Sequence, residues 1–479
     1  MRLRIVIAVL SAVLFGVCSS WAAIAWTLGE RGTDAAGWAL DDSGGKFFAV
    51  GIWGIPGYTF LRNTADTAEP AGNDAAFTAV TAPYNTIVMQ SGYRKSYMNA
   101  RDPLFMSGLS TMQWMMSSEG YSGETPLAAD SLPITGSTIH FDRMNSIREN
   151  AGAVRQYFAG MVIPHIEENF RGTNLVHFIM DEPDTGRRGW FWSPEIMKAY
   201  HDAVHERSPD RLTYIGLGGS IGGNRYFYEK LFGNVFKVGT DPARGECSPE
   251  YMDTYNYAFD GTPQFEYISG LFIKNRWRKK PPSALTHVFY ENVRQTAAAY
   301  GTACDVIGWN TYNEFRDFPE AAGETVDAIK DACGRSKPVW LFFDGAANNK
   351  PSEMSYGDYG KLVACQVYTS IIHGATGALF FAFSAPEEYM RNITALAENL
   401  GEHSSIFKLP ETANRWDTAY HSEAYDHLHY SIRTEPGGKS YLIASNTSAV
   451  SPYTVNVGGF RDFELEPLGF AVVGAEPLR

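Results

Sequence analysis

Short apolar runs alternate with stretches of helical periodicity along most of this chain, a rhythm that predicts parallel β/α units rather than a sandwich. Eight runs read as strands: Phe47 to Trp53, Thr86 to Gln90, Thr111 to Met116, Leu175 to Met180, Leu212 to Leu217, Asp305 to Trp309, Val339 to Phe343 and Ala378 to Phe383. Helical patterns over Met144 to Asn169, Pro194 to Glu206, Leu285 to Tyr300 and Tyr359 to His373 lie between them. Gly374 and Gly377 supply the turn by which the last of these helices doubles back into the eighth strand. The repeat predicts an α/β fold, a (β/α)8 TIM barrel. It breaks over residues 220–282, an irregular stretch rich in tyrosine. In a barrel, an insertion of that length belongs to a βα loop, on the face where active sites form.

Past Leu409 the texture changes to alternation of apolar and polar positions. Leu428 to Arg433, the turn Glu435-Pro436-Gly437-Gly438 and Ser440 to Ser445 read as a hairpin, with further strands at Tyr453 to Val457 and Gly469 to Val473. The expected organisation is a leader over residues 1–25, a barrel over 26–409 and a small antiparallel, β-sandwich-like domain over 410–479.

The leader changes where the chain is expected to work. Arg2 and Arg4 precede an apolar run from Ile5 to Val17, followed by small residues at Ser19, Ser20, Ala22, Ala23 and Ala25, the pattern of a secretory signal peptide. The run is short for a bilayer span, and no later segment offers about 18 uninterrupted apolar residues. A secreted or periplasmic protein with no membrane partner after cleavage is expected; retention of the leader as an anchor is the alternative. Val17 stands where a small residue would precede a lipidated Cys18, which argues against a lipoprotein.

Cleavage removes Arg2 and Arg4, so the formal charge of -13 becomes -15. An acidic chain of this kind excludes nucleic acid as a partner, since phosphate binding needs a basic face. Aromatic residues make up 14% of the chain, with 11 Trp, and their flat faces suit sugar rings as well as core packing. Four cysteines follow the leader: Cys247, Cys304, Cys333 and Cys365. Cys304 opens a strand and Cys333 ends the helix after it, both at the barrel base, so a Cys304–Cys333 disulfide is expected, with free thiols as the alternative. No spacing resembles a zinc site, and neither a metal nor a cofactor is expected. No Gly-x-Ser-x-Gly elbow, His-Glu-x-x-His or P-loop occurs.

In a parallel barrel, a polar residue just past the carboxyl end of a strand lies at the rim of the active site. The clearest case is His177-Phe178-Ile179-Met180-Asp181-Glu182-Pro183-Asp184, where an apolar strand runs into two carboxylates and a proline that ends the pairing. Glu182 is thereby presented at the rim. Trp53, Gln90, Glu119, Trp190, Trp192, Trp309 and Tyr312 also fall at or beyond strand ends and are candidates for substrate contact. Trp190 and Trp192 follow Glu182 closely; stacking platforms and a hydrophobic plug are both open readings. His177 reads as a core histidine.

The stretch through Glu182 resembles the large superfamily of (β/α)8 glycoside hydrolases, whose acid/base glutamate follows the fourth strand in an Asn-Glu-Pro motif; here Asp181 replaces the asparagine. Asp305 through Tyr312, Pro338 through Phe343, and Cys365 through Phe383 look like the sixth, seventh and eighth strands of the same superfamily. The terminal segment Tyr441 through Ser448 looks like its accessory β-domain. The likeness is best from about Val306 to Val473 and poor over the first three strands.

The resemblance implies an exported glycosidase acting on an oligo- or polysaccharide, with Glu182 protonating the leaving oxygen. The superfamily's nucleophile is a glutamate ending strand seven, and this chain has Asp344 there. Asp344 could serve as nucleophile or as an inverting base, or could merely hydrogen-bond its own loop. Glu314 is a second candidate for the role, and Asp181 a third. Tandem Asp-Glu pairs after a fourth strand resemble enzymes that use the substrate's own acetamido group as nucleophile, which would restrict the substrate to N-acetylhexosaminides. A noncatalytic carbohydrate-binding barrel is the reading from a different class, because fold does not fix function.

Overall fold

Apart from breaks of one to three residues, the computed structural model describes residues 33–54, 81–89, 104–107, 158–169, 174–184, 194–218, 283–311, 319–416 and 426–475, with a few positions between 134 and 156. Eight parallel strands form its centre: β1 (Ala49–Trp53), β2 (Thr86–Met89), β3 (Leu104–Ser107), β4 (Asn174–Asp181), β5 (Leu212–Leu217), β6 (Val306–Thr311), β7 (Trp340–Asp344) and β8 (Gly377–Phe381). Neighbours in sequence are neighbours in the sheet, and β8 pairs with β1 through Phe381 and Trp53, so the sheet closes into a barrel. The described helices are α1 (Ile163–Asn169), α2 (Pro194–Arg207), α3 (Ser283–Tyr300), α4 (Ala321–Cys333), α5 (Tyr356–Ile372) and α6 (Glu387–Phe407).

The barrel interior is aromatic. The Trp53 ring lies 5.7 Å from Phe178 and 5.6 Å from Phe342, and Phe178 lies 5.0 Å from Tyr214. Below them Tyr214 stacks on Trp340 at 6.1 Å and donates its hydroxyl to the Trp340 carbonyl. Tyr214 fits only because β6 offers no side chain at Gly308, where a Cβ would fall 1.8 Å from the phenol oxygen. Outward-facing positions of the same strands pack under the helices. α2, for instance, buries Ile196, Met197, Tyr200, Ala203 and Val204, the spacing of one helical face.

A four-stranded antiparallel sheet follows: β9 (Glu411–Arg415), β10 (Leu428–Thr434), β11 (Ser440–Asn446) and, across a short β12 (Tyr453–Val455) and β13 (Phe463–Leu465) pair, β14 (Phe470–Gly474). It covers the outer side of α5. Tyr368 stacks on Phe470 at 4.0 Å, and Thr369 and Ser445 share a hydroxyl bond of 2.9 Å. Enclosed by barrel and sheet, α5 is buried on all sides from Leu362 to Ile372, which explains why it carries no polar face.

Two expectations are corrected. The third strand is Leu104–Ser107, not Thr111 to Met116, which lies outside the described residues. Cys304 and Cys333 are free thiols rather than a disulfide. Each thiol is directed to its own carbonyl at the end of α3, Cys304 to Tyr300 and Cys333 to Ala297. Burial pushes the Cys304 thiol up to about 12.

Candidate active site

The mouth of the barrel is organised by an irregularity in β4. Phe178 pairs with Tyr214, but Met180 pairs with Ile215 and Asp181 with Gly216, so one extra residue is inserted between them. Without the bulge Met180 would stand where Asp181 stands. The insertion flips the alternation of side chains, so Asp181 shares the inner side with Phe178 and approaches the Gly216 backbone, whose missing Cβ would lie 3.4 Å from Asp181 Oδ1. Met180 is turned outward and buried.

Glu182, the next residue, has a positive φ of 50°, a conformation that costs a non-glycine residue about 1–3 kcal/mol and is found most often where function requires it. Its N–H donates to Gly216 O at 2.7 Å, which pins the strained backbone to β5. The following Pro183 and Asp184 are buried, and Asp184 Oδ1 accepts the Gly218 N–H at 3.0 Å. The Glu182 side chain lies directly over Gly218: a Cβ there would fall 2.3 Å from Glu182 Cγ and 2.6 Å from Oε1.

From β6, Asn310 reaches both acids. Its Nδ2 donates to Asp181 Oδ1 at 3.1 Å and to Glu182 Oε1 at 3.0 Å, while the residue itself is buried. Two carboxyl groups, both half-buried, are therefore held side by side at the carboxyl end of the barrel by one amide. Such a pair can hold a proton on one member and accept a hydrogen bond on the other.

Asp344, at the end of β7, is differently placed. Oδ1 accepts the N–H groups of Ala346 (3.1 Å) and Asn348 (3.3 Å); Oδ2 accepts Asn349 N (2.9 Å), Asn349 Nδ2 (3.1 Å) and Tyr359 Oη (2.8 Å). Five donors saturate a carboxylate that is 2% exposed, leaving no lone pair for an attack on substrate. Of the readings left open for Asp344, these bonds favour the carboxylate that hydrogen-bonds its own loop, folded back as an Asx-type turn, over a nucleophile or base.

The expectation for Trp309 is corrected. β6 continues to Thr311, so Trp309 lies within the strand, 1% exposed and on the side opposite Gly308 and Asn310. Trp53, 4% exposed and also in edge contact with Phe381 at 5.3 Å, is part of the aromatic floor beneath the acids and offers no free face for a sugar. His177 is fully buried, 3.3 Å from the Tyr200 hydroxyl and 3.4 Å from Glu167, and burial pushes its pKa down. Gln90, Glu119, Trp190, Trp192, Tyr312 and Glu314 lie outside the described residues.

Asn310 and Gly218 were not singled out by sequence reasoning. The signal for Asn310 was available in Gly308-Trp309-Asn310: a glycine and an amide at alternate positions of a barrel strand face inward, and the tryptophan between them faces out.

No protein-family profile and no curated protein matches this sequence. Among solved structures, the chain is similar to a glucosidase from Croceicoccus marinus, with 11% identity over 90% of this chain and 81% of that one, TM-score 0.33. It is similar to an endo-β1,6-glucanase at 10% identity over 92% and 93%, TM-score 0.41. A GH36 α-galactosidase from Geobacillus stearothermophilus matches at 10% identity over 90% of this chain, TM-score 0.39, and this chain spans 54% of its length. Likenesses of this size assign neither family nor activity. No helix among the described residues is long and apolar enough to cross a membrane.

Proposed function

We propose that the chain is an exported (β/α)8-barrel glycoside hydrolase whose general acid is Glu182. The observation that carries this reading is the Asn310 amide bridging Asp181 and Glu182 at the carboxyl ends of β4 and β6. Glycoside cleavage needs a carboxylic acid to protonate the departing oxygen and a second group to stabilise or attack the anomeric carbon. The strained backbone at Glu182 and the glycine beneath its side chain support a residue placed for chemistry rather than for stability.

The engagement of Asp344 favours a particular second group. With that carboxylate spent on its own loop, Asp181 is the described acid that shares a hydrogen-bond donor with Glu182. This supports substrate-assisted cleavage of an N-acetylhexosaminide. In that route the acetamido oxygen attacks the anomeric carbon as the glycosidic bond breaks, Glu182 gives its proton to the leaving oxygen, and Asp181 accepts the acetamido N–H. Water then opens the cyclic intermediate, returning a proton to Glu182.

The test is hydrolysis of a panel of aryl glycosides and oligosaccharides, with and without 2-acetamido groups, by the wild type and by Glu182→Gln. Turnover confined to acetamido sugars and reduced about 10²-fold or more in the variant is the expected result. Turnover of substrates without an acetamido group would overturn the substrate-assisted route, and inertness toward the whole panel with retained glycan binding would replace the enzyme by a carbohydrate-binding barrel.

A further inference from the structure

Opposite the mouth, at the amino ends of the strands, three side chains of metal-ligating type converge without a role in the proposed chemistry. His201 and His205 stand four residues apart on one face of the last turns of α2, with ring centroids 4.5 Å apart. Asp305 immediately precedes β6. Its Oδ2 is 2.9 Å from His205 Nε2 and 4.0 Å from His201 Nδ1, and the three donor atoms all lie within 4.8 Å of one another.

We propose that His201, His205 and Asp305 bind a divalent transition metal, zinc by ligand type, that ties α2 to the base of β5 and β6. Two imidazoles and a carboxylate are a standard zinc set, and bonds of about 2.0–2.1 Å in a tetrahedron put ligand atoms roughly 3.3 Å apart. The two separations from Asp305, 2.9 and 4.0 Å, bracket that spacing, and every pair of donor atoms lies within 4.8 Å, so an ion enters with side-chain shifts of about an ångström or less. Side-chain exposures of 16% for His201, 36% for His205 and 19% for Asp305 leave an open side for a fourth ligand, water.

In the metal-free protein the three side chains are held together by hydrogen bonds that run through Thr213, which keeps the carboxylate and both imidazoles in place for an ion to replace those bonds. Thr213, on β5, donates both its N–H and its hydroxyl to Asp305 Oδ2, each at 2.9 Å, and accepts the Asp305 N–H at 3.0 Å. Since that hydroxyl proton is committed to Asp305, His201 Nδ1, 2.7 Å away, donates to Thr213 Oγ1. His205 Nε2 donates to the carboxylate. On metal binding each neutral imidazole keeps one proton on its other nitrogen, and the two freed nitrogens with one Asp305 oxygen take the ion. The site is remote from Glu182, so its role is in holding the fold.

The experiment is equilibrium binding of Zn²⁺ and Co²⁺ to the purified, chelator-treated protein, by calorimetry and by the visible spectrum of the cobalt form, with melting temperature followed in parallel. One ion per chain, a higher melting temperature and a tetrahedral cobalt spectrum without thiolate charge-transfer bands are expected. His205→Gln, at the most exposed ligand, should weaken binding by about 10²-fold or more. Absence of stoichiometric binding by the wild type, thiolate bands pointing to the cysteines, or undiminished affinity in the folded His205→Gln protein would each overturn the proposal.

Discussion

Replacing Gly218 by alanine adds one methyl group beneath Glu182 and changes nothing else at the mouth. Built on the existing backbone, the new Cβ would lie 2.3 Å from Glu182 Cγ, 2.5 Å from Cδ and 2.6 Å from Oε1. An ordinary contact begins near 3.4 Å, so the carboxyl group must retreat by about 1 Å. That retreat breaks the 3.0 Å bond to Asn310, and a 1 Å misplacement of a catalytic group is worth on the order of 10² in rate, or about 2.7 kcal/mol of transition-state stabilisation. The global fold should be little affected, because Glu182 is only half-buried and lies outside the hydrophobic core. The assay is kcat/KM on the best glycoside of the panel, with a urea melt beside it. A fall of about 100-fold at nearly unchanged stability is expected. Full activity in a folded Gly218→Ala protein would refute the placement of Glu182 as the reacting acid.

Asp344→Ala leaves several donors of the β7 loop and the buried Tyr359 hydroxyl without an acceptor, so urea denaturation should show a loss of about 3 kcal/mol or more; native stability with abolished turnover would restore Asp344 as a nucleophile. Glu320 and Glu324, one turn apart at the start of α4, are both buried, and burial raises both, Glu320 to about 8. A raised carboxyl contributes its full stability below the unfolded value near 4.5 and loses it as pH rises through 8, so Glu320→Gln should stabilise the fold by on the order of 3 kcal/mol at pH 7 and by nothing measurable at pH 4. Equal melting-temperature shifts at the two pH values would contradict this.

Much of the barrel was legible because parallel strands buried on both faces are continuous apolar runs: β5 matches the expected Leu212 to Leu217 at both ends, and β4, β6, β7 and β8 fall within one or two residues. The third strand was missed because Leu104–Ser107 is four residues long and follows Arg101-Asp102-Pro103, while the richer apolar run Thr111 to Met116 drew the assignment away. At the mouth, Glu182 was visible from the strand running into Asp-Glu-Pro. The bulge that turns Asp181 inward was not, since an inserted residue leaves no mark in composition and reverses the inference from alternation. Trp309 was misjudged for a related reason: two residues of error at the end of β6 turned an outward core side chain into an apparent rim residue. The metal-type cluster escaped because its third member, Asp305, is distant in sequence, although the His201-x-x-x-His205 spacing was present on α2.

The central claim is that Glu182 delivers a proton to the leaving oxygen. Its most direct test is kcat/KM for Glu182→Gln on two aryl glycosides of the same sugar, one with a highly activated phenol that departs without protonation and one with a poor leaving group. A loss of about 10² or more on the poor leaving group, with little loss on the activated one, is the predicted result. Equal losses on both, or none on either, would contradict the assignment of Glu182 as the general acid.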